Sequence, residues 1–101
     1  MVPEIAVDAY VIDVLLRDLV GHDKSPSSFL VYLYLWRETH GRDAGKVALS
    51  HQEIAELTGL SKSAVQGSIR NLLRRKLIES SKSTVTSTPE YSVNRPWRGR
   101  Y

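Results

Sequence analysis

The sequence contains no cysteine. That absence removes disulfides, thiolate zinc sites and cysteine nucleophiles together. A chain without thiols fits a reducing cytosol, and a cytoplasmic location is the expectation. Histidine is scarce as well: His22, His40 and His51 are the full set. No two of them stand at the i, i+4 spacing that pairs imidazoles on one helix face, so neither a metal nor any other cofactor is expected. There is no glycine-rich phosphate loop and no arguable Ser-His-Asp arrangement, so an enzyme is not expected. Long hydrophobic runs are also missing. The longest, residues 29–36 and 14–20, fall far short of the roughly 20 residues of a membrane span, and Arg17 and Asp18 interrupt the second. The first residues lack a basic stretch followed by an apolar run and a small-residue cleavage site, and no secretory signal is expected.

What is present is one domain's worth of chain, 101 residues with 42% apolar side chains, enough for a single modest core. Residues 1–101 therefore read as one domain, without internal repeats or low-complexity tracts. The charge is unevenly spread. Residues 1–45 carry four Lys/Arg and seven Asp/Glu, whereas residues 46–101 carry ten and four. An acidic first half on a basic second half suggests one face for a polyanion and another for something else.

Hydrophobic periodicity and capping residues divide the chain into elements. Residues 4–20 read as a first helix, with Gly21 as its stop and residues 22–24 as a polar turn. Ser25 is placed as N-cap, and Pro26 at the first helical position opens a second helix to about His40, ended by Gly41. Residues 47–49 fit a short strand. Ser50 and Glu53 have the Ser-x-x-Glu spacing of a capping box, which starts a third helix to about Thr58, with Gly59 supplying the left-handed turn. Ser61 caps a fourth helix to about Lys76, with Val65, Ile69, Leu72 and Leu73 at helical spacing. Residues 77–81 and 90–94 read as two strands joined by a Ser/Thr-rich loop, and residues 95–101 as a basic tail. The order is helix, helix, short strand, helix, helix, strand, strand: a mainly α fold with a small β-hairpin.

The informative stretch is residues 50–73, a short helix, a tight turn at 59–61 and a longer helix, the layout of a helix-turn-helix. Ile54 and Leu57 are expected to bury the inner face of its first helix. Ala55 is small where the helices cross, and Leu60 fills the space beneath the turn. Val65 and Ile69 anchor the second helix. That leaves Lys62, Ser63, Gln66, Gly67, Arg70 and Arg74 facing outward, and these polar, basic or small residues suit a helix lying in a major groove.

The run LSHQEIAELTGLSKSAVQGSIRNLLRRKLIE resembles the core of bacterial winged helix-turn-helix regulators of the MarR and GntR type, over roughly residues 26–94. The resemblance implies a second motif helix in the major groove and a hairpin wing on the flanking backbone. Double-stranded DNA is then the expected partner, and Ser61, Lys62, Ser63, Gln66, Gly67, Arg70, Arg74, Lys82, Arg95 and Arg98 the expected contacts. The wing departs from the usual pattern, because residues 83–88 carry no Lys or Arg; hydroxyl contacts to phosphate remain open to it. A transcriptional repressor is the expected role. The alternatives are a plasmid or phage replication or partition protein with the same chemistry, and a winged helix that binds protein instead of DNA. The helix at 4–20 carries apolar residues on several sides. One side is therefore expected to pack within the chain and another, including Val11 and Leu16, against a second copy in a homodimer.

Overall fold

The computed structural model of the chain describes residues 3–99; the last two residues of the basic tail, Arg100 and Tyr101, lie outside the described residues. Three α-helices, a helical N-terminal segment and a three-stranded antiparallel sheet follow one another in the order anticipated from the sequence. These are α1 (Pro26–Glu38), β1 (Val47–Ala48), α2 (His51–Thr58), α3 (Lys62–Arg74), β2 (Ile78–Ser81) and β3 (Glu90–Val93).

The N-terminal segment is helical over 9–22 rather than 4–20. Its start is late because residues 3–8 are committed elsewhere. The carbonyl of Ala6 accepts the Trp36 indole N–H at 2.9 Å, and Ile5 lies against Gly41. Gly21 does not stop the helix, which runs through it to His22. Two stretches, Val11–Leu15 and Asp18–His22, are wound wider than an α-helix: Leu16 N–H bonds to the carbonyl of Val11, and Asp23 N–H to that of Asp18, five residues back. Wide turns align residues four apart, and Val11, Leu15 and Leu19 form the buried stripe. Val11, expected with Leu16 on the side facing a second copy, is instead wholly buried within the chain, because it shares the stripe of Leu15 and Leu19 and not that of Leu16. The chain leaves the segment through Lys24, which takes the left-handed conformation (φ 53°).

Helix α1 is the central element. Pro26 occupies its first position and Ser25 its N-cap, although the Ser25 hydroxyl bonds to Ser28 Oγ (2.6 Å) instead of to a backbone N–H. Phe29, Val31, Tyr32, Leu35 and Trp36 are all buried, on more than one side, because α3, the N-terminal segment and β3 all pack against α1. The helix ends at Glu38, before the expected His40. Buried Thr39 returns its hydroxyl to the Leu35 carbonyl at 2.8 Å. A short 3-10 turn over His40–Arg42 follows, and the left-handed residue is Asp43, not Gly41. Gly41 serves close approach instead, since a Cβ there would stand 2.9 Å from Ile5 Cγ2.

The sheet has strand order β1-β3-β2, with Val47 opposite Tyr91 and Ile78 opposite Val93. Its buried side chains, Ile78, Tyr91 and Val93, join one core with α1, α2 and α3. Truncating a wholly buried member such as Ile54 costs about 2–5 kcal/mol. Helix α3 ends at Arg74, two residues early, because Lys76 is left-handed (φ 58°) and Leu77 N–H returns to the Leu72 carbonyl at 3.0 Å. Trp97 packs on the N-terminal segment and α1. It stacks on Tyr10 at 4.6 Å between centroids, faces Trp36 at 6.3 Å, and its indole N–H reaches Asp8 Oδ2 at 2.9 Å.

Candidate nucleic-acid interface

Helices α2 and α3 are set by local chemistry legible in the sequence. Ser50 Oγ accepts the Glu53 N–H at 3.1 Å while Glu53 Oε1 accepts the Ser50 N–H at 2.9 Å, which closes the capping box. Gly59 turns the chain at φ 80°, a conformation that costs a residue with a Cβ. Ser61 Oγ then accepts the Ala64 N–H at 3.1 Å and caps α3.

Val65, Ile69 and Leu72 lie buried along one side of α3. Ser68, also buried there, donates its hydroxyl to the Ala64 carbonyl at 2.7 Å and meets Ser27 Oγ at 2.8 Å. On the opposite side Lys62, Ser63, Gln66, Arg70 and Arg74 are exposed, and Gly67 between them is half-buried with open space where a Cβ would stand. Among the described residues, the side chains of Gln66 and Arg70 have no hydrogen-bond or ion-pair partner. Arg74 bonds to Asn71 Oδ1 and comes within 4.0 Å of Asp23 Oδ2.

Two apolar positions do not behave as the spacing suggests. Leu57 is 52% exposed instead of lining the inner face of α2. That face is centred between buried Ile54 and Ala55, and at about 100° per residue Leu57 falls roughly 110° away from it. Leu73 is exposed at the end of α3 for the same reason.

The basic residues outside α3 fall into two groups. Lys82 stands at the base of the wing, and its charge and that of Lys62 both bear on His51. Together with partial burial, which is the larger effect, they hold the His51 imidazole below its ordinary pKa. Lys62, the first residue of α3, and Lys82 of the wing are thus both within electrostatic reach of His51, the first residue of α2. His51 is a member of this group that the sequence reading missed. Its place just after an N-cap was visible, but the return of the wing towards it was not. The wing tip is folded on itself: Thr84 N–H donates to Ser87 Oγ at 3.0 Å, and Ser87 Oγ donates back to the Thr84 carbonyl at 2.9 Å. Val85 projects from that turn, exposed.

Arg95 and Arg98 form the second group, beside the C-terminal end of α3. They line an open groove of about 920 Å³ with Leu73 and Lys76. The Arg95 guanidinium lies 5.8 Å from the centre of the Trp36 ring. Arg98 grips Asp8 with both prongs, Nε to Oδ2 at 2.9 Å and Nη2 to Oδ1 at 2.7 Å. The Arg98 hydrogen bond, chiefly, draws the Asp8 carboxyl down to about 2. Arg75 also turns inward, to Asp18 and Asp23.

Among the described residues no helix is long and apolar enough to cross a membrane, and no three His, Asp or Glu side chains gather as a metal site. No protein-family model matches the sequence, and no curated protein matches it. Among solved structures, that of NMB1585, a MarR family regulator from Neisseria meningitidis, is similar to this chain in fold, with a TM-score of 0.51 at 19% identity. The match covers 86% of this chain and 57% of that one, so the chain spans little more than half the length of the structure it resembles. Helix order, sheet and this likeness agree on a winged helix fold.

Proposed function

From a winged helix with a polar, basic outer face, we propose that the chain binds double-stranded DNA sequence-specifically and acts as a transcriptional regulator, with α3 in the major groove. The carrying observation is the division of α3: Val65, Ile69 and Leu72 are buried, while Gln66 and Arg70 are exposed and uncommitted. Gln pairs bidentately with adenine and Arg with guanine, so these two side chains read base edges. Ser61, Lys62, Ser63 and Arg74 flank them and take the sugar-phosphate backbone. Gly67 keeps the helix surface low where it meets the groove, at a cost of about 1 kcal/mol of helix propensity relative to Ala. Lys82 follows the backbone from the wing and Arg95 from the tail side. Arg98 joins them only by releasing Asp8. Repression is by occupancy of an operator.

The active form is a homodimer through the N-terminal segment. Beside the buried stripe Val11, Leu15 and Leu19 runs a second one, Ile12, Leu16 and Val20, exposed by 51, 37 and 37%. A helix with two apolar sides and one covered has the other left for a partner. Two copies related by a two-fold axis would present their α3 helices to half-sites about one helical turn apart.

Selection of duplexes from a random pool, followed by titration at several salt concentrations, tests the proposal. A defined, roughly palindromic sequence is expected, with log K against log salt sloping by about −0.9 per phosphate and roughly four to eight phosphates per dimer. Absence of binding to any duplex at low salt, or an affinity indifferent to salt, would sink it. Sedimentation at micromolar concentration tests the dimer. Leu16→Asp is expected to give a folded, weakly binding monomer, and a wild-type chain that is already monomeric removes the dimer.

A further inference from the structure

One cluster takes in, of the DNA contacts proposed above, only Arg74, which bonds to Asn71 Oδ1 and comes within 4.0 Å of Asp23 Oδ2. Asp23, at the exit of the N-terminal segment, has a side chain only 3% exposed. It accepts hydrogen bonds from Arg75 Nη1 at 2.9 Å and Asn71 Nδ2 at 3.1 Å, both carried by the end of α3, and lies 2.8 Å from His22 Nδ1. Arg75 Nη2 also reaches Asp18 Oδ2 at 3.2 Å. Asn71 Nδ2 stands 3.1 Å from Ser28 Oγ of α1, so three elements meet there. Burial raises the Asp23 carboxyl, but the hydrogen bonds from His22 and Asn71 and the charge of Arg75 outweigh it and hold the group ionised, below its ordinary pKa.

The wide turn makes this possible. In an α-helix, residues five apart lie about 140° apart around the axis. Between Asp18 and Asp23 the turn closes on the fifth residue, with Asp23 N–H on the Asp18 carbonyl at 2.9 Å, and both carboxylates come to the same side. One guanidinium spans them. Stability alone is a poor reason for such a group, since apolar residues in place of a buried ion pair are often as stable. Directional bonds do what apolar packing does less well: they fix the rotation of α3 about its own axis and its register against the N-terminal segment.

We propose that Asp18, Asp23, Asn71 and Arg75 form a positioning clamp that fastens α3 to the helical segment bearing the Ile12, Leu16 and Val20 stripe, and so sets the spacing at which two copies of the chain read two half-sites. The inference rests on the DNA-binding and dimer readings above. Arg75 here is a positioning residue: it meets two carboxylates of its own chain, not DNA.

The test uses the full chain and the duplex that the wild-type protein selects from a random pool, together with versions carrying one or two base pairs more or fewer between the half-sites. Wild type is expected to lose about tenfold or more in affinity when the half-sites leave the spacing of one helical turn. Arg75→Lys keeps the charge but cannot span both carboxylates. It is expected to remain dimeric, to keep the wild-type salt slope, and to flatten the spacing preference to about threefold or less. Asp18→Asn, at a partly exposed position, leaves Asp23 paired and is expected to fall between the two; it also serves should Arg75→Lys fail to fold. A folded, dimeric Arg75→Lys or Asp18→Asn chain with the spacing preference of wild type overturns the clamp. So does a wild-type dimer that binds its selected sequence but is indifferent to spacing. A wild-type chain that selects no duplex overturns the DNA reading itself, and the clamp with it.

Discussion

The outward face of α3, on one side, and the end of α3 with the tail, on the other, carry the same kind of residue to opposite purposes. Along the outer face Lys62 and Arg70 are exposed, and Arg70 has no side-chain partner among the described residues. At the end of α3 and in the tail, Arg75 and Arg98 are held by carboxylates: Asp18 and Asp23 for one, Asp8 for the other. All three carboxylates come from the first 23 residues. The acidic first half of the chain is therefore not only a surface turned away from a polyanion. It neutralises part of the basic half, Arg75 and Arg98, while Lys62 and Arg70 on the outer face of α3 are left outside those ion pairs. Net charge by segment describes composition, whereas the field that a phosphate backbone meets depends on which cations are already satisfied.

The largest effect expected from this contrast is on stability. Arg75→Ala leaves Asp23 buried and without its nearest cation, with Arg74 no closer than 4.0 Å, and about 3 kcal/mol should be lost, the partial exposure of Arg75 placing it at the lower end for such pairs. Arg70→Ala should stay within about 0.5 kcal/mol of wild type. Denaturant midpoints at constant slope measure both, and equal losses would erase the distinction. Next in size, Gln66→Ala and Arg70→Ala should each cost about 1–3 kcal/mol at the selected duplex and relax the preference at one base pair, read by repeating the selection with each variant. An unchanged preferred sequence would remove both from base readout.

Smaller again, Lys82→Ala should weaken all sequences alike and reduce the salt slope by about one phosphate. Asp8→Asn sharpens the comparison from the other side. It frees the Arg98 guanidinium, and affinity for nonspecific duplex should rise, by no more than the contribution of about one added phosphate contact. The smallest effect is in acid. Burial holds both His40 and His51 below the ordinary histidine value. The folded state therefore binds fewer protons than the unfolded one, and stability should decline as pH falls below about 6.5. DNA binding should move the opposite way, because a phosphate set near His51, Lys62 and Lys82 favours the imidazolium. Melting and binding isotherms between neutral pH and mild acid separate the two trends.

The order of elements, the capping box at Ser50 and Glu53, the turn at Gly59 and the cap at Ser61 were all legible in the sequence. Each depends on residues within a few positions of one another, and local hydrogen bonding or backbone sterics dictates it. The inner anchors Val65 and Ile69 were legible for a related reason, because helical periodicity over more than three turns overdetermines a face. Leu57 was not, since two turns of α2 leave the face loosely defined and only contact with α1 and α3 chooses it.

What only the tertiary structure decided is wherever distant segments compete for the same group. The start of the N-terminal helix is one such case, where the Trp36 indole engages the Ala6 carbonyl from 30 residues away. Trp97 is another, set on Tyr10 and Asp8 by a contact spanning 89 residues. The same holds for the fates of Arg70, Arg75 and Arg98. The sequence by itself determined that this chain folds as a winged helix with a basic second half, because caps, turns and apolar periods are short-range signals. Which of its cations remain free was decided by folding, because an ion pair between residues 52 to 90 positions apart exists only once the chain has brought them together.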